Sequence, residues 1–133
     1  MKKVEVVAAI IYVEDEILCV QRPKNKLEYI SEKFEFPGGK IEEGESREEA
    51  LERETNEELS LNIKVGRDNF FLTNIHEYPD FELTMHSFIC KIENKKLTLH
   101  EHINQEWLAI EKLDRLDWAA ADIPIVNKLI ANG

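Results

Sequence analysis

The chain is poor in the residues that a disulfide-stapled, membrane-spanning or nucleic-acid-coating protein needs. Cysteine occurs only at Cys19 and Cys90, each inside an apolar, strand-like segment. That pattern suits reduced core thiols and argues against a disulfide framework or a cysteine-based zinc site. No Gly-, Ser- or Pro-rich linker divides the sequence and no period of about 20 to 50 residues recurs, which argues against tandem domains and repeats. No apolar run approaches the ~20 residues that span a bilayer. The run from Val6 to Val13 follows Lys2 and Lys3 as a leader peptide would. Glu5 interrupts it, β-branched residues dominate it, and Glu14-Asp15-Glu16 stands where a small-residue cleavage site belongs, so a strand in a cytoplasmic protein with no membrane partner is expected. Positive charge is scarce as well. Lys and Arg number 17 against 27 Asp and Glu, a formal net charge of −10, and such a surface repels nucleic acid polymers. A small phosphate-bearing ligand would need a local basic patch or a divalent cation to bridge like charges.

What is present is one domain's worth of polypeptide. With 133 residues, 43% hydrophobic and 33% charged, a single folded domain over residues 1–133 is expected, and monomer and homodimer both stay open. Val4 to Val13 and Ile17 to Gln21 read as strands joined in a hairpin at Glu14-Asp15-Glu16. Arg22 to Glu35 is irregular and polar, and Phe36-Pro37-Gly38-Gly39 follows as a backbone with unusual freedom. Ser46 to Leu59 reads as a helix with Ser46 as N-cap and Glu49 completing a capping box. Strand-forming residues then fill Asn62 to Ile75, Glu82 to Ile92 and Trp107 to Ile110. Asp122 before Ile123-Pro124 suits the start of a terminal helix with an apolar stripe of Ile125, Val126, Leu129 and Ile130. Mostly β with two helices predicts an α+β sandwich.

The first helix is physically odd. Glu45, Glu48, Glu49, Glu52, Glu54, Glu57 and Glu58 crowd it. Glu54, Glu57 and Glu58 stand at i, i+3 and i+4, on one face with Cβ atoms ~5–6 Å apart. If sheltered, each like-charge pair costs roughly 3 kcal/mol at an effective dielectric of ~20. A hard divalent cation would neutralise that face and bridge phosphates. On carboxylate spacing alone, a solvated acidic face is the ordinary alternative.

The stretch from Gly38 to Leu61, GGKIEEGESREEALERETNEELSL, resembles the Nudix box. Gly39, Glu45, Arg53, Glu54, Glu57, Glu58 and Leu61 fall on its pattern in register, while Thr55 replaces an aliphatic residue and Ser60 the final glycine. The substitution at Ser60 predicts a helix exit without the usual left-handed glycine. Further matches at Gln21-Arg22, Glu35 to Lys40, His76 to Asp80, Glu101 and Ala121 to Pro124 make the chain similar to the MutT and CTP-pyrophosphohydrolase branch.

The resemblance implies a Nudix α/β/α sandwich around a mixed sheet. It also implies a Mg²⁺-dependent pyrophosphohydrolase, with Mn²⁺ as a substitute, acting on a modified or oxidised nucleoside triphosphate or on CTP or dCTP. Other nucleoside diphosphate derivatives are the enzymatic alternative, and a non-catalytic nucleotide-binding module the non-enzymatic one. It places Glu57, Glu58 and the Gly38 carbonyl on the metal and makes Glu54 the general base, counted with the metal group as well. Arg53 would orient Glu54, Glu45 would support the site, and Glu101 would be a further ligand or a rival base. Arg22 and Lys40 would hold phosphates, while Phe36, Tyr78 and Asp122 complete the substrate-binding set. For Tyr78 the alternative is shaping the turn at Pro79-Asp80. An ionised Asp122 would only accept hydrogen bonds and so face an amino group or ring N–H, with simple helix capping as its alternative. Trp118 reads as a core aromatic. His100 and His102, with no Cys nearby and no third His in register, do not make a zinc site.

Overall fold

A computed structural model describes residues Met1–Gly133. β1 (Lys2–Val13) is the central strand. Along one edge it runs parallel to β6 (Phe81–Lys91), from Lys2↔Phe81 to Tyr12↔Lys91. Along the other it meets β2 (Glu16–Gln21) only at Tyr12↔Ile17 and Val13↔Glu16, across the expected hairpin. Beyond that turn β1 and β2 splay apart, and the gap is filled by one segment. Its first half, β3 (Phe34–Glu35), pairs with β2, and its second, β4 (Gly38–Lys40), pairs with β1. Pro37, which has no N–H to give a ladder, sits between them, and its carbonyl accepts from Ala9. β5 (Phe70–Glu77) and β7 (Asn104–Ala109) close the mixed seven-stranded sheet on β6 and β2.

Strict alternation along β1 divides the core into two layers. Val7, Ala9 and Ile11 face Ala50, Leu51 and Leu59 of α1 (Arg47–Leu59), while Ala8 and Ile10 face Ile125, Val126 and Leu129 of α2 (Ile123–Asn132). One helix therefore covers each face of the sheet, the α/β/α sandwich. Cys19 packs in the α2 layer and Cys90 in the α1 layer, both as free thiols on opposite sides of the sheet. No helix is long and apolar enough to cross a membrane.

Four expectations need correction. Asn62 to Ile75 is a strand only from Phe70; before it, Ile63 and Val65 pack beneath α1 in irregular backbone, and the Val65 N–H goes to Glu52 Oε2 (2.8 Å) instead of a strand. Ile110 belongs to a 3-10 turn (Ile110–Arg115), because β7 ends at Ala109, opposite Glu16, the first residue of β2. Ser60 takes the left-handed conformation that glycine usually supplies (φ 57°, ψ 33°), with its N–H on the Asn56 carbonyl. Asp122 does not cap α2: a 3-10 turn (Ala120–Asp122) feeds directly into the helix, and the Asp122 side chain makes no capping bond.

Candidate active site

The helix begins as the sequence predicts, with Ser46 Oγ accepting from the Glu49 N–H (3.0 Å) and Glu49 Oε1 from the Ser46 N–H (2.9 Å). The cap, the Glu52 bond to Val65 and the Thr55 hydroxyl, which returns to the Leu51 carbonyl (2.9 Å), satisfy four polar side chains locally. Glu45, Glu54 and Glu57 gather around Arg53. Its Nε and Nη2 bind the two oxygens of Glu45 (2.6 and 3.0 Å), its Nη1 reaches Glu54 (2.9 Å) and Glu57 (3.2 Å), and Nη2 also donates to the Lys40 carbonyl (3.0 Å). A planar five-donor guanidinium meets this demand in a way no ammonium does. The arginine bonds hold the Glu45 carboxyl below the usual carboxylate range.

Gly38 and Gly39 bring the sheet against this cluster. A Cβ at Gly38 would lie 1.9 Å from the Val7 carbonyl oxygen, and one at Gly39 would lie 2.4 Å from Glu54 Oε2. Only glycine lets β4 pair with β1 and touch the Glu54 carboxyl at once. Glu58 is buried, with Oε1 accepting from the Gly38 N–H (3.3 Å). Its burial, a hydrogen bond with Glu54 and the charges of Glu54, Glu35 and Glu101 push its carboxyl up to about 10. Glu101 comes from far along the chain because the Thr98 and His100 N–H groups bond the Leu59 and Glu58 carbonyls (3.0 Å each) at the end of α1.

Hard oxygen donors in this number fit a divalent cation, since without one Glu58 is pushed to hold a proton among the carboxylates of Glu54, Glu35 and Glu101. No three His, Cys, Asp or Glu side chains converge on one point in this arrangement, because Arg53 draws Glu54 and Glu57 to itself. Glu57 is half exposed and its bonds are the longest of the arginine's side-chain hydrogen bonds, which makes it the freest to turn.

On the opposite face of the sheet lies a cavity of about 440 Å³ with a floor of Val4, Val6, Ala8, Leu83 and Met85. Phe36, stacked on Trp118 (4.7 Å), and Tyr78 form walls, and Arg22, Gly38, Gly39 and Lys40 also line it. Trp118 is a core aromatic, its indole bonded to the Leu113 carbonyl. Asp122 is buried in the cavity wall, and its Oδ1 accepts from the Phe36 N–H (3.0 Å). Burial and the nearby Glu35 charge raise its pKa well above the ordinary value, which favours the protonated acid, a group that both donates and accepts, over the ionised acceptor that the sequence alone suggested.

Glu35 escaped the sequence reading as a site residue. It stands between the two faces, taking bonds from Arg22 Nη1 (3.4 Å) and His102 Nε2 (2.8 Å), and its charge reaches both Glu58 and Asp122. Only its place just before Phe36 hinted at this. His100 is held by Ser60 Oγ (2.7 Å). Thus the sheet brings Glu45, Arg53, Glu54, Glu57, Glu58 and Glu101 together on one side, with Phe36, Tyr78 and Asp122 on the other and Gly38 to Lys40 between them.

The model of the NUDIX domain family matches residues 2–129. The chain belongs to the Nudix family. It is a hydrolase of that family, similar to the CTP pyrophosphohydrolase of Escherichia coli K12 (34% identical over 131 residues, 98% of this chain and 94% of that protein). It is also similar to the 8-oxo-dGTP diphosphatase of the same organism (32% over 130 residues, 97% and 98%). Among solved structures, that of the DNA mismatch repair protein MutT, a Nudix hydrolase from methicillin-resistant Staphylococcus aureus 252, superimposes with a TM-score of 0.75 at 40% identity over the whole of both chains. Nudix hydrolases generally use divalent cations and act on small nucleotide substrates.

Proposed function

We propose that this Nudix hydrolase is a Mg²⁺-dependent nucleoside triphosphate pyrophosphohydrolase that converts a triphosphate and water to the monophosphate and pyrophosphate. Its substrate would be CTP, dCTP or a modified triphosphate such as 8-oxo-dGTP. One observation carries the reading: a nucleoside-sized apolar cavity ending in a buried acid opens, across the Gly38 to Lys40 strand, onto a carboxylate cluster organised by one arginine. The names of the two E. coli relatives support the same substrate class.

In this reading Phe36 and Tyr78 enclose the base and Asp122 reads its edge. Arg22 and Lys40 hold the phosphates. Glu57 and Glu58 with the Gly38 carbonyl, and Glu101 beside them, would hold Mg²⁺, with Mn²⁺ as a substitute. The chemistry such a cation would supply there is positive charge against the phosphate oxygens. Glu54 Oε2 takes a proton from the attacking water, whose oxygen bonds to the β-phosphorus as the bond to the bridging α–β oxygen breaks. Glu45 acts through Arg53, fixing the guanidinium that fixes Glu54.

Pyrophosphate release from a panel of nucleoside triphosphates with and without Mg²⁺ tests the reaction. Glu54→Gln should lower kcat by ~10²–10⁴-fold while cation affinity changes little. A loss below tenfold, with a large loss in Glu101→Gln, would move the base to Glu101.

A further inference from the structure

The mouth of the cavity carries a contact that this chemistry does not use. The connection from Arg22 to Lys33 is folded on itself: the Arg22 N–H bonds the Lys33 carbonyl (2.9 Å), the Asn25 N–H bonds Ser31 Oγ (2.8 Å), and Gln21 Nε2 bonds the Glu32 carbonyl (2.9 Å). These bonds hold the connection together as a compact loop. Tyr29 reaches from it to the turn between β5 and β6. Its ring stacks on Tyr78 (5.0 Å, 21°), and its hydroxyl donates to Asp80 Oδ2 (2.5 Å). The far side is rigid, since Tyr78 is packed by His76 and Phe81 and its hydroxyl accepts from the Ala121 N–H. Ile30, Tyr78 and Asp80 all line the cavity.

We propose that the contact of Tyr29 with Tyr78 and Asp80 is a clasp joining the 22–33 connection to the 78–80 turn across the mouth of the cavity. Tyr29 does not line the cavity, so it is a positioning residue: it holds Ile30 and Tyr78 in the wall and sets how fast a nucleotide leaves. The clasp rests on the nucleotide reading above. Its hydroxyl bond is solvent-exposed, so water competes for both partners and the contact opens at each turnover. The aromatic stack supplies the bias to reclose.

Stopped-flow release of CMP and dGMP, with kcat and KM for the triphosphates, should be compared in the wild type, Tyr29→Phe, Asp80→Ala and the double variant. Loss of the hydroxyl bond is expected to speed monophosphate release about 3- to 10-fold and raise KM similarly without lowering kcat. The double variant should do no more than either single, because both remove one contact. Hydrogen exchange without nucleotide should quicken at the 25–33 amides in Tyr29→Phe and stay unchanged in β1 and β6. Unchanged release in both single variants, effects that multiply in the double, or a fall in kcat overturns the clasp. If the wild type binds neither monophosphate and hydrolyses no triphosphate, the functional reading fails instead, and exchange alone decides: unaltered 25–33 amides overturn the clasp too.

Discussion

Asp122 is a buried carboxyl with one protein hydrogen bond, from the Phe36 N–H, and no role in starting its helix. Its raised pKa favours the protonated form, which would offer the cavity a hydroxyl that donates and accepts; an asparagine keeping the same bond would offer only an N–H donor. Asp122→Asn should therefore shift preference toward bases presenting an acceptor and away from those presenting an amine. The ratio of kcat/KM for dCTP to that for 8-oxo-dGTP should fall by roughly 5- to 150-fold, the equivalent of about 1–3 kcal/mol for a mispaired buried group. An unchanged ratio would remove Asp122 from base selection. The same scale explains Thr55, whose hydroxyl is satisfied by the preceding turn of its own helix.

Helix α1 is an unusual element because charge, not apolar area, organises most of its surface. Beside the apolar contacts of Ala50, Leu51 and Leu59, one polar tie to the sheet is Arg53, which joins Glu45 before the helix, Glu54 and Glu57 within it, and the Lys40 carbonyl of β4. Lysine keeps the charge and loses the fork. Arg53→Lys should thus lower stability by about 2 kcal/mol, read by urea denaturation, and lower kcat more than it raises KM, because Glu54 loses its fixed direction. A variant with native stability and turnover would show that the acidic face organises itself.

Across the whole molecule, a surface of net charge −10 surrounds a site that holds a proton when no cation is bound. The Glu58 carboxyl, raised to about 10, binds a proton in the fold at pH values where the unfolded chain has released it. The stability this contributes is full below about pH 4.5 and is lost as pH rises toward 10, so the metal-free protein should melt at lower temperature at about pH 9 than at about pH 6. Asp122 acts in the same direction. Glu58→Gln should flatten the dependence and abolish turnover. Mg²⁺ at a hundredfold excess over its Kd should stabilise the wild type by about 2.7 kcal/mol and the variant far less. Equal stabilisation of both would place the cation elsewhere.

Local chemistry was readable from the sequence because short-range rules govern it: the hairpin at Glu14 to Glu16, the capping box at Ser46 and Glu49, and the i, i+3, i+4 face of Glu54, Glu57 and Glu58 all act within one turn of chain. The box from Gly38 to Leu61 was legible for the same reason, as its spacings lie along one loop and one helix. What only the tertiary structure decided depends on where β1 and β2 part. That gap admits Phe34 to Lys40, sets Phe36 against the carboxyl of Asp122, and seats Glu35, His102 and Arg22 together from three separate segments. It also decided that Asp122 is a buried part of the cavity wall and not a cap, with its pKa pushed up, since burial near the charge of Glu35 is a property of space and leaves no periodic trace along the chain.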